Sequence, residues 1–184
     1  MKQTALILGI VSLFSLSQAL AQPGPAMTDE HKILKNDVGA WDAKMKIWPQ
    51  GPDGPVIEGD CEETNRLMTG GLWLISDFKG TFSGVKFEGH GTFGYDPEKK
   101  KHVGTWIDNM NPAVSLMEGD YDAETKTMTM YSTGIDPNTR KKTKTKSVGK
   151  SIDENTRTFT MSNLAEGSED KYVKMMEINY TRKK

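Results

Sequence analysis

The stretch "FEGHGTFGYDPEKKKHVGTWID", Phe87 to Asp108, alternates apolar or glycine residues with polar ones on both sides of a turn. At its centre, Asp96-Pro97-Glu98-Lys99 places an aspartate where its carboxylate accepts backbone N–H groups just ahead, then a proline that presets φ. Alternation on either side of such a tip predicts two antiparallel strands. With two or four loop residues, Phe87, Gly89, Gly91, Phe93 and Tyr95 share a face with Gly104, Trp106 and Asp108. Glu88, His90, Thr92, Val103, Thr105 and Ile107 then take the other face. The first face is the more aromatic, and its glycines leave room for Trp106 to lie across the neighbouring strand, so it is read as interior. An odd loop length reverses that assignment.

The same tip returns as "YDAETKT" from Tyr121, "IDPNTRK" from Ile135 and "IDENTRT" from Ile152, each closing on a cation and followed by strand formers. Other breaks fall at "WPQGPDGP" from Trp48, "TGG" at Thr69, "KGTFSG" at Lys79, "DNMNP" at Asp108 and "AEGSED" at Ala165. Nine breaks imply about ten strands, too closely spaced for crossover helices. The same face count groups Met117 with Met128 and Met130, and Phe159 and Met161 with Val148. A meander of that many strands either curls shut or leaves exposed edges. The expected fold is all-β: an antiparallel up-and-down β-barrel of about 8–10 strands, with a short N-terminal helix over "TDEHKILKNDVG" from Thr28.

The N-terminus reads as a secretory signal peptide. Met1-Lys2 precedes the apolar run "ALILGIVSLFSL", and Ala19-Leu20-Ala21 fits a small-x-small cleavage site. The expected organisation is a signal peptide over 1–21, a segment with a short helix over 22–37 and a barrel over 38–184, located in the periplasm or secreted. The apolar run is too short for a membrane span. A formal net charge of −1 argues against a nucleic-acid partner. Cys61 is the only cysteine, so no intrachain disulfide forms and stability rests on packing.

Several blocks are similar to a known family. "VGAWDAKMKIW", "TGGLWLISDFKG", "FEGHGTFGYDPEKKKHVGTWIDNM", "MEGDYDAETKTMTM" and "KMMEINYTRKK" resemble the bacterial exported proteins of the DUF1579 family, over about Val38 to Lys184. That family is grouped with the calycins, the lipocalin and fatty-acid-binding barrels. The resemblance implies that Trp41, in Gly39-Ala40-Trp41, closes one barrel end under a cation from the last strand, for which Arg182 is placed. Asp42 and Ala43 depart from the fuller lipocalin pattern. The resemblance brings no activity with it.

Chemical motifs are sparse. Three scattered histidines, His31, His90 and His102, make a weak metal signal, and a late-strand haem ligand is missing after His102. Serines show no nucleophile-elbow pattern, and no glycine-rich phosphate loop opens a helix. "RKKTKTKSVGK" from Arg140 holds six cations and no acid; such a run can attract anionic lipid or polysaccharide, but it is read first as a solvated face or protected edge of a strand. Asp108 is read first as a strand-end residue bonded to its turn; as a ligand contact it would share its site with Arg66 and Glu118.

These readings favour a barrel that binds a small apolar or amphipathic molecule through Trp73, Phe93, Trp106, Met117, Met128 and Met130, with Asp108 and Arg66 orienting its polar end. Met161 and Met176 extend the methionine strip. No catalytic residue, cofactor or metal is assigned. Two alternatives stay open: a barrel isomerase or hydrolase with Asp108 as general base near Tyr95 or Tyr121, and a cell-envelope structural or interaction protein with a filled core.

Overall fold

The computed structural model describes residues 26–135 and 140–184. The signal-peptide reading of 1–21 and the turn at Asp136-Pro137 lie outside the described residues. A single turn of helix, α1 (Asp29–Lys32), runs into a 3-10 turn over Ile33–Asp37. Ten strands follow: β1 (Gly39–Ile47), β2 (Ile57–Leu67), β3 (Trp73–Phe82), β4 (Val85–Asp96), β5 (Lys101–Asp108), β6 (Asn111–Asp122), β7 (Thr127–Ile135), β8 (Lys142–Ser151), β9 (Thr156–Leu164) and β10 (Tyr172–Arg182). Each strand pairs antiparallel with its sequence neighbours, and β1 pairs with β10, so the sheet closes on itself and no edge remains. All nine breaks seen in the sequence separate consecutive strands.

The tips form for the expected reason. Asp96 Oδ1 accepts the N–H groups of Glu98 (2.9 Å) and Lys99 (3.1 Å), and Asp122 Oδ1 those of Glu124 (2.9 Å) and Thr125 (3.3 Å). Lys100 and Lys126, at equivalent positions, take the left-handed backbone conformation that ends these four-residue loops. An even loop makes Gly91 face Trp106 and Phe93 face Gly104, with that whole set pointing inward. The fourth tip departs from this pattern. Ser151 pairs with Arg157 across five loop residues, an odd count that inverts the faces. Val148 therefore points outward, opposite Phe159 and Met161, and the expected grouping of the three is corrected. The same shift turns Arg157, read in the sequence as a tip cation, into the barrel.

The inward faces of β1, β2 and β3 form the solid core: Trp41, Ala43, Met45, Cys61 and Phe78 are buried and pack with Ile178 and Tyr180 of β10. Across the neighbouring strands Phe82, Phe87 and Trp106 complete an aromatic wall, with Phe78 5.9 Å from Phe87 and 6.4 Å from Trp106. Helix α1 starts at Thr28, whose N–H donates to His31 Nδ1 at 3.2 Å. Buried His31 and Leu34 face the barrel end formed by the start of β3 and the end of β4. That end is capped, and the opposite end is the mouth.

Candidate ligand cavity

The capped end is built around Trp41, only 1% exposed. The Arg182 guanidinium stands 4.0 Å from its ring centroid, and Arg157 lies 4.6 Å away on the ring while also covering Tyr180 at 4.0 Å. Arg182 spends its donors on backbone carbonyls of Val38, Asn36 and Glu154. Arg157 is held by two carboxylates, Glu63 at 2.9 Å and Asp37 at 3.2 Å. Buried Glu63 also accepts from Asn65 Nδ2 (2.6 Å) and Ser76 Oγ (3.2 Å). Burial draws the Arg157 pKa down, but Glu63 and Asp37 reverse it and leave it above the ordinary arginine value. Burial, with Glu63 beside it, pushes the Tyr180 phenol well above its usual range. Both cations are thus consumed in fixing the end of the barrel. The family resemblance pointed to Arg182 alone; Arg157, Glu63 and Asn65 were missed because their inward placement follows from loop length and distant pairing.

Beside this cluster a file of rings crosses the capped end. His31 sits 5.7 Å from Tyr95, Tyr95 5.2 Å from His102, and His102 6.4 Å from Tyr121. Burial depresses the His102 pKa. Among the described residues no group of three or more His, Cys, Asp or Glu side chains converges to hold a metal. Burial raises the Cys61 thiol to about 11, which keeps it protonated and unreactive.

Toward the mouth the two walls differ. On β2 to β5 the inward glycines lie under rings: a Cβ on Gly89 would meet three Trp106 ring atoms within 3.0 Å, and one on Gly104 would meet Phe93 at 2.7 Å. On the far wall, inward Gly149 of β8 and Gly134 of β7 have nothing within 4 Å of the space a Cβ would take. Around that space run three layers in register: Tyr121, Met128, Gly149 and Phe159; then Met130, Ser147, Met161 and Met176; then Met117, Ser132, Thr145 and Asn163 nearest the mouth. Most of these inward side chains are only half-buried, in contrast to the buried inward residues of β1 to β3. Thr145 Oγ1 donates to Asn163 Oδ1 at 2.9 Å, so the outermost layer offers hydroxyl and amide groups over a methionine-rich floor.

Of the residues picked from the sequence, Phe93, Trp106, Met117, Met128 and Met130 do face the interior, the two aromatic ones forming the boundary with the solid wall. Trp73 does not. It pairs with Gly94 on the outer surface, 39% exposed, because inward Leu74 fixes the opposite parity. Arg66 also lies on the outer surface, and Glu118 faces outward toward Lys99 at 3.6 Å, so neither can share a site with Asp108. Asp108 itself accepts from Trp106 Nε1 (3.1 Å) and from the Met110 N–H (2.9 Å), the strand-end role. It stands at the mouth, whereas Tyr95 faces His102 six residues back along β5, about 20 Å of strand away. An Asp108 base acting near Tyr95 or Tyr121 has no geometric support.

A closed ten-stranded meander with one end capped by a helix and an arginine-covered tryptophan, and a partly hollow interior, defines a lipocalin-like barrel. The profile of the family described as "Protein of unknown function (DUF1579)" matches residues 26–182, and the chain belongs to that family. No curated protein matches it. Among solved structures, the S-type phycobiliprotein lyase CPES from Guillardia theta is similar in fold, with a TM-score of 0.56 at 10% identity, over 83% of this chain and 92% of that one. A DUF3598-family protein of unknown function from Nostoc punctiforme aligns with a TM-score of 0.25 at 7% identity, over 85% of this chain and 100% of that one.

Proposed function

We propose that the barrel binds a small molecule with a largely apolar body, lodged against β6 to β10 with its polar end toward the mouth. The observation that carries this is the unfilled space over Gly149, bounded by half-buried Phe159, Met128 and Met161, in a barrel whose other wall is closely packed. A small barrel is either filled by its own side chains or holds one ligand, and here the filling stops half way across. Flexible thioethers suit a guest of irregular shape, and Ser132, Thr145 and Asn163 supply a few placed polar contacts. The fold likeness to a protein named as a phycobiliprotein lyase agrees with ligand binding in a barrel of this kind; it names no ligand for this chain.

The test uses the neutral apolar fluorophore N-phenyl-1-naphthylamine. Saturable, one-to-one enhancement of its emission is expected, with energy transfer from Trp106. Gly149→Phe, which sets a ring into this space, is expected to weaken binding at least about tenfold while the protein still unfolds cooperatively. Absence of saturable enhancement, or equal affinity in the Gly149→Phe protein, overturns the proposal.

A further inference from the structure

The outer surface is as uneven as the interior. Seven of the ten large apolar side chains that stand exposed among the described residues lie at the mouth end; the capped end carries Met68, Trp73 and Ile152. Four of the seven, Ile107, Val114, Leu116 and Ile135, share the outer faces of β5, β6 and β7, and each is more than half exposed. Met110, at the turn joining β5 to β6, projects beside them at 66%. Single exposed aliphatics are ordinary, but a contiguous group on one rim marks an interaction surface.

A row of cations adjoins this patch. Ile135 pairs directly with Lys142, and Lys144 and Lys146 follow on the same outward face of β8. The lysines lie against aromatic rings: Lys144 is 4.5 Å from the centroid of Tyr131, Lys146 5.8 Å from Tyr172, and on β10 Lys174 4.7 Å from Trp48. Of the carboxylates near this face, Glu166 is engaged by Lys141 and Glu177 by Lys174. Among the described residues Lys142, Lys144 and Lys146 have no carboxylate partner, so three cations stand unpaired in a row although the whole chain is close to neutral.

We infer that the mouth rim, from Ile107 and Leu116 round to Lys146, docks on an anionic lipid surface. Aliphatic side chains that protrude singly would enter the headgroup boundary, tyrosine and tryptophan suit the interface itself, and lysines meet anionic headgroups. The patch is a convex row of strand faces and one turn, and its mix of protruding aliphatics, interfacial rings and unpaired lysines complements an anionic bilayer surface. The rim also surrounds the mouth, so a guest could pass between bilayer and barrel without crossing water. Docking stands on the outer surface alone and does not depend on the cavity being occupied.

The experiment uses the chain from residue 26 onward, which carries all ten strands of the closed barrel. The protein is sedimented with vesicles of phosphatidylcholine containing one-quarter phosphatidylglycerol, and with pure phosphatidylcholine. Association with the anionic vesicles is expected, about tenfold weaker on neutral ones and reduced at least about tenfold by Ile107→Ser with Leu116→Ser. Lys142→Glu with Lys144→Glu, both on the exposed outer face, is expected to remove the preference for anionic lipid. Trp73→Ser at the capped end should sediment like the parent. No association, or equal losses from rim and capped-end variants, overturns the inference. So does concentration-dependent self-association without lipid that the rim substitutions abolish, since it assigns the surface to a second copy of the chain.

Discussion

The wall made by β1 to β5 and the wall made by β6 to β9 carry the same alternation of inward and outward residues, yet they end in different states. On the first, small and large residues are matched across strands: Gly89 lies under Trp106, Gly104 under Phe93, and Gly80 against Cys61 Sγ at 2.5 Å from its virtual Cβ. On the second, methionine, serine and threonine stand among Tyr121, Phe159 and Asn163 at the inward positions, and nothing comes within 4 Å of a Cβ on Gly149 although Phe159 is its cross-strand partner. Closure alone therefore does not fill a barrel. Interdigitation of large with small does, and it is present on one side only.

The largest expected effect comes from the seam where the two walls meet at the capped end. Arg157→Leu leaves Glu63 and Asp37 without their shared guanidinium, and a loss of about 3–5 kcal/mol in urea unfolding is expected. A loss below about 1 kcal/mol would mean that the charges are solvated and that packing on Trp41 is what holds the seam.

The glycines compare the walls directly. Gly89→Ala drives a methyl into Trp106 and is expected to cost about 1–3 kcal/mol. Gly149→Ala meets open space at an ordinary backbone conformation and is expected to be neutral or stabilising by up to about 1 kcal/mol. Equal costs would erase the distinction between packed and hollow sides.

The smallest effect is a pH dependence confined to the ring file. Burial sets the folded-state pKa of His102 below its ordinary 6.5, with His31 pushing the same way and Glu30 and Asp120 opposing. Between the folded value and 6.5 the unfolded chain binds the extra proton, so stability falls as pH drops through 6.5 and levels off below the folded pKa. The slope is at most about 1.4 kcal/mol per pH unit. Thermal unfolding of His102→Phe should lack this component; an unchanged slope would place the titration elsewhere.

Much of the fold was legible because its determinants are local. A strand is announced by alternation, and an aspartate-led tip by hydrogen bonds to its own N–H groups, as Asp96 and Asp122 show. The inward set from Phe87 to Asp108 could be counted because its loop has four residues. The site was less legible. Trp73 looks like a pocket residue by type, but its face is set by Leu74 beside it. Arg66 and Glu118 failed in the same way, each displaced to the outside by parity.

What the chain's own order determined is the number of strands and their antiparallel meander, since both follow from short-range turn chemistry and from closure of a period-two sheet, while the pairing of Trp41 with Arg182 was what the family resemblance implied. Tertiary structure alone decided that Arg157 turns inward between two carboxylates, that Val148 turns out, and that space remains over Gly149. Those outcomes hang on a single extra loop residue and on which side chains meet across the barrel. Residue type at one position does not encode what stands opposite it ten or a hundred places away.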